Sequence, residues 1–123
     1  MFEKVQPVFM EISSPVSPQE ATNRVVNFFI QTRAEIQYNT GSMIQAARGS
    51  EFQTRMVGSL LGGVKILPRL ITVEIFTHPL GSHIRVHVED NFGFGSRVGI
   101  KKQFFDLMVR DAYSVLSVFP ERV

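Results

Sequence analysis

Residues 71–88 constrain this chain more than any other stretch. Ile71, Val73 and Ile75 alternate with Thr72 and Glu74. After His78-Pro79-Leu80-Gly81, Ile84, Val86 and Val88 alternate with His83, Arg85, His87 and Glu89. Two period-two runs joined by turn formers predict a β-hairpin. Side chains alternate across a strand, so the six aliphatic residues share one face and the polar ones the other. One buried face and one wet face is the habit of an antiparallel sheet.

The last third of the chain supplies a cover for that face. Phe105, Met108, Ala112, Val115, Leu116 and Phe119 recur at helical spacing, Ile100, Phe104 and Leu107 broaden the arc, and Pro120 ends it. The pattern predicts a helix over 97–119, beginning near Ser96 or Arg97 and lying along the concave side of the sheet. A shorter helix is predicted after Ser17. Ser17-Pro18-Gln19-Glu20 is a capping box: Ser17 accepts from a first-turn amide, Glu20 reaches back, and proline takes the tolerated first position. Ala21, Val25, Phe28, Phe29 and Thr32 form its stripe.

The remaining segments read as strands and connections. Over 5–13, Val8, Met10 and Ile12 share a face opposite Phe9, and Pro7 marks an edge or a strand start. Ile36 and Tyr38 alternate with Glu35 and Gln37; Asn39-Thr40-Gly41-Ser42 is a turn by composition, and Met43–Arg48 returns. Residues 51–57 fit helix or strand, and the short connection favours a third meander strand. The Leu60-Leu61 pair sits in a glycine-rich apolar connector expected to fold over the core or over a mouth. The expected fold class is α+β: an antiparallel sheet of five to six strands, with one N-terminal and one long C-terminal helix packed on it.

With 123 residues, one domain spanning 1–123 is expected. Cysteine is absent, which excludes a disulfide scaffold and any Cys-based zinc site. The apolar window 56–76 is interrupted by Lys65, Arg69, Glu74, the Gly62-Gly63 pair and Pro68, so no membrane span is expected. The N-terminus lacks a signal-peptide pattern, and a soluble cytoplasmic protein is the expectation. Thirteen Lys/Arg against eleven Asp/Glu give a net charge of only +2, with scattered arginines. The wet sheet face shows no stripe of aromatics alternating with Lys/Arg, so nucleic acid is not an expected partner.

The order strand, helix, three strands, apolar loop, hairpin, long C-terminal helix resembles a short version of the START/Bet v1-like helix-grip superfamily. The resemblance covers nearly the whole chain and lies in element order and glycine-rich connections. It implies a curved antiparallel sheet wrapped around the C-terminal helix, with a cavity between them.

The leading functional expectation is a small binding protein with an apolar ligand between the C-terminal helix and the sheet. Met56, Phe76, Phe104, Phe105 and Met108 are its candidate liners, and Leu60 and Leu61 its gate. Filled core is the reading that close packing favours for the same side chains, since interiors pack without large voids. A protein-interaction module or homodimer, built on Leu60-Leu61 or the broad helix face, is the first alternative. The second is an anion or nucleotide site at 93–102, where Gly93 and Gly95 let amides approach a phosphate and Arg97, Lys101 and Lys102 add charge. Its G-x-G-x-x-x-G spacing differs from the dinucleotide fingerprint.

No catalytic residue, metal ligand or cofactor is assigned. His83 and His87 stand four apart on one strand, roughly 13 Å between their Cβ atoms, too far to share a zinc ion directly. Glu74 with Arg85 or His87 is expected to be an ordinary cross-strand pair. Asp106 and Asp111 are expected on the solvent edge of the long helix. The enzyme templates G-x-S-x-G, P-loop and H-E-x-x-H are missing from the sequence.

Overall fold

A computed structural model describes residues 4–49, 67–92 and 99–123. Seven elements follow one another: β1 (Val8–Ser14), α1 (Pro18–Gln31), β2 (Glu35–Asn39), β3 (Met43–Arg48), β4 (Arg69–His78), β5 (Gly81–Asp90) and α2 (Lys101–Leu116). The strands form one antiparallel sheet in the order β1-β5-β4-β3-β2. The α+β class and the packing of both helices on the sheet are as expected, with five strands among the described residues. Residues 51–57 lie outside them.

The hairpin pairs in the register that the alternation demands, with Ile71 opposite Val88, Val73 opposite Val86 and Ile75 opposite Ile84. Val8, Met10 and Ile12 of β1 extend these rows, as do Ile44 and Ala46 of β3. On this inner face Ile44, Ala46, Ile71, Val73, Ile84, Val86 and Val88 have no exposed surface. Ala21, Val25 and Phe29 of α1 and Phe104, Met108, Ala112 and Val115 of α2 close over them. Each large aliphatic or aromatic side chain buried this way contributes about 1.5–3 kcal/mol, which is what holds the helices down.

Local chemistry sets the element ends. Ser17 Oγ accepts from the Glu20 amide at 3.1 Å, with Pro18 in the first turn of α1. The reciprocal half of the capping box is replaced: Glu20 accepts from Arg24 Nε at 3.3 Å instead. α1 ends where Arg33 enters the left-handed region at φ 62 and the Ala34 amide donates back to the Phe29 carbonyl. β1 begins at Val8 rather than earlier, because Pro7 has no N–H for the ladder.

Two sequence expectations change. The long helix begins at Lys101, not near 96–97; Gly99 has φ +80, a left-handed backbone that a right-handed helix cannot contain. In β2 the register shifts between Ile36 and Tyr38, so Ile36 faces inward opposite Ala46 while Tyr38 lies opposite Gln45 on the outer face. The bulge puts one extra residue between them, which reverses the second side chain.

Candidate functional site

α2 turns Phe104, Leu107, Met108, Ala112, Val115 and Leu116 toward the protein. Phe104 and Met108, two of the expected liners, are fully buried against the inner face of the sheet. Phe105 is 37% exposed, to one side of that stripe. Phe76 is 40% exposed on the opposite, outer face, with the Arg85 guanidinium 5.1 Å from its ring centroid. It cannot line a site under α2. In β4 the inward positions are 71, 73 and 75, so position 76 points away by the same alternation that buries Ile75.

Met56, Leu60, Leu61, Gly93, Gly95 and Arg97 lie outside the described residues. Of the basic residues expected at an anion site, Lys101 and Lys102 form the first turn of α2, and Lys102 is 86% exposed with Asp106 3.8 Å away.

The inner layer also holds charge, which the sequence reading missed. Arg48 of β3 stands opposite Arg69 of β4, and Arg69 stands opposite Asp90 of β5. This charged row continues the apolar rows at one end of the inner face. Asp111 of α2 comes down on it, accepting from Arg69 Nε at 2.5 Å and from Arg69 Nη2 at 3.3 Å. The side chains of Arg69 and Asp111 are only 7% and 11% exposed. The expectation that Asp111 lies on the solvent edge is therefore corrected: it projects inward, one turn beyond Met108, whereas Asp106 stays outside.

Each partner has further support. Arg69 Nη1 donates to the Leu67 carbonyl. Asp90 accepts from the Val5 amide at 2.9 Å and the Phe92 amide at 2.8 Å. Arg48 donates from Nη1 to the Thr32 carbonyl at 3.0 Å and from Nη2 to Thr32 Oγ1, and its guanidinium lies 5.7 Å from the Phe28 ring centroid. Its Nε–H is buried and finds no acceptor; Asp111 Oδ1 is 3.9 Å away. Burial pushes the Arg48 guanidinium below its ordinary pKa. Asp111 offsets part of that, and Arg69 adds to it.

A signal for this cluster was present. Positions 44, 46 and 48, positions 69, 71, 73 and 75, and positions 84, 86, 88 and 90 are single inward phases. Carried one step past the last aliphatic residue, each phase ends on a charge.

Two other surfaces stand out. A groove of about 470 Å³ runs between the edge strand β1 and the C-terminal half of α2, walled by Met10, Ile12, Tyr113, Leu116 and Arg122. On the outer face, Phe9 stacks on His87 with centroids 4.3 Å apart. Glu11 there meets His83 Nε2 at 3.2 Å and Arg85 Nε at 3.3 Å, and Ser13 Oγ lies 2.9 Å from His83 Nδ1. Glu74 lies 3.9 Å from Arg85, the cross-strand pair expected of it. These contacts tie β1 and β4 to β5 across an open surface.

No helix among the described residues is long and apolar enough to cross a membrane. No family model matches the chain, and no curated protein does. Solved structures do. The crystal structure of protein MLL2253 from Mesorhizobium loti, a START/polyketide-cyclase-like fold, aligns with a TM-score of 0.61 at 9% identity, covering 93% of both chains. Ara h 8.0201, a Bet v1 homologue, aligns with a TM-score of 0.56 at 12% identity, covering 93% of this chain and 94% of that one. Identities this low speak to the fold. Five antiparallel strands, an N-terminal helix after the first of them and a C-terminal helix laid across their inner face make this the Bet v1-like helix-grip fold.

Proposed function

We propose that this protein binds a small apolar ligand between α2 and the inner face of the sheet. Proteins of the Bet v1 family, which share this fold, bind hydrophobic ligands. The observation that carries the reading is the position of Asp111. Burying charge in an otherwise apolar layer costs several kcal/mol per ion before pairing offsets it, so Arg48, Arg69, Asp90 and Asp111 give this apolar wall a polar end. Small-molecule sites, by contrast, are mostly apolar walls with a few placed polar groups. The stripe Phe104, Met108, Asp111 has that composition.

Phe104 and Met108 are the proposed liners, with Met56 as a third and the Leu60-Leu61 connector as the gate. The flexible Met108 thioether suits a wall that re-forms around a ligand. The test is titration with the neutral fluorophore N-phenyl-1-naphthylamine. Saturable one-to-one binding with blue-shifted emission, abolished by Met108→Lys but kept by Phe76→Ser, supports the reading. Absent or non-saturable enhancement rejects it.

The β1–α2 groove, with the exposed ring of Tyr113 at its rim, favours a second reading as a surface for a partner or a second copy. Light scattering separates the two: a dimer that Tyr113→Glu dissociates supports the second, and a monomer at high concentration removes the homodimer.

A further inference from the structure

We infer that Arg48 reads the head of the ligand and that this head is a carboxylate. The inference rests on the ligand-binding reading above and adds the chemistry of one end. Arg48 leaves β3 in the inward phase of Ile44 and Ala46, and its guanidinium reaches Thr32 at the end of α1 and comes within 3.9 Å of Asp111 on α2. Both terminal nitrogens are committed to Thr32, and the Phe28 ring lies beside the guanidinium plane. The remaining donor, Nε–H, is buried without an acceptor.

Asp111 does not fill that role. Its two oxygens take the fork of Arg69, and it comes no closer to Arg48 than 3.9 Å. Asp90 accepts from two backbone amides. One helix carboxylate thus stands between two guanidiniums, and Arg48 holds the weaker share. A carboxylate oxygen arriving at Nε makes a charge-assisted hydrogen bond and brings a counter-charge. A hydroxyl satisfies the donor but brings no counter-charge, so an acid is preferred over the matching alcohol. From Asp111 back to Phe104 the stripe covers about 10 Å of helix, so a chain of medium length attached to the head runs along Met108 and Phe104.

The experiment compares decanoate with decanol by isothermal titration calorimetry, with folding checked by circular dichroism. Wild-type protein is expected to bind decanoate at least tenfold more tightly. Arg48→Gln is expected to lose that preference while keeping its affinity for decanol. If neither compound binds wild type, the ligand reading itself fails. If both bind without preference, or the preference survives Arg48→Gln, the ligand reading stands and the head assignment is overturned. Should Arg48→Gln not fold, Arg48→Lys decides: it keeps a charge but loses the Nε donor, so a preference reduced at least threefold supports the assignment and an unreduced one overturns it.

Discussion

Arg69 and Asp111 meet at 2.5 Å across the interface between β4 and α2, forty-two residues apart in the chain. The contact fastens the long helix to the sheet at the charged end of an otherwise apolar layer. Removing one member of a buried pair leaves the other as an uncompensated charge, which typically costs 3–5 kcal/mol. Asp111→Ala is expected to lower stability by about 3 kcal/mol, near the lower end because Arg69 also donates to the Leu67 carbonyl. Urea denaturation measures it, and a loss under about 1 kcal/mol would mean the pair is not buried in solution.

The β4–β5 hairpin turns against the link between β1 and α1. A Cβ at Gly81, whose φ is +150, would strike the Ser14 carbonyl oxygen and lie 2.5 Å from the Pro15 carbonyl carbon. Both are backbone atoms that cannot swing aside. Gly81→Ala is expected to cost about 2–3 kcal/mol. Gly41→Ala, at φ +87 with nothing within 4 Å, is expected to cost about 1 kcal/mol from backbone strain alone. Paired denaturation curves test the ranking.

Arg33, the residue after the Thr32 cap of α1, has a left-handed backbone at φ 62, a position that favours glycine. Its side chain is exposed. Arg33→Gly is expected to stabilise the protein by about 0.5–1 kcal/mol, read as a rise in Tm.

Low pH should loosen the C-terminal segment from α1. Glu121 accepts from Arg24 Nη1 at 2.8 Å and from Nη2 at 3.0 Å, and Arg24 also reaches the Val118 carbonyl. Mainly through the Arg24 hydrogen bonds, the Glu121 carboxyl is lowered to about 2, while the Arg24 guanidinium is raised. A folded-state value below the unfolded one means the stabilisation is fully present above pH 4.5 and fades as pH falls toward 2. The Tm difference between wild type and Glu121→Gln should be constant above pH 5, shrink below 4.5 and vanish near 2.

Most of the fold was legible because it is written in periodicities. The alternation at 71–88 gave the hairpin and its register, and Ser17-Pro18 gave the start of α1. What stayed hidden depended on single backbone events. Tyr38 changed face through one extra residue at a bulge, and α2 started late through the left-handed Gly99.

The candidate site was legible only in its apolar half. Phe104 and Met108 follow from the helical stripe, but Phe76 was placed by residue type when strand phase already turned it outward. Arg48, Arg69 and Asp111 escaped because each alone reads as a surface charge. Only the sheet register and the docking of α2 bring them together.

A ligand seated under α2 is tested most directly by methyl NMR of methionine-labelled protein during a decanol titration. Met108 lies on the inner stripe, Met10 walls the β1–α2 groove, and Met43 occupies an outward position on β3. The expected result is a saturable shift of the Met108 resonance with Met43 unmoved. A response confined to Met10, or none from Met108 at saturating decanol, would contradict a binding site between the helix and the sheet.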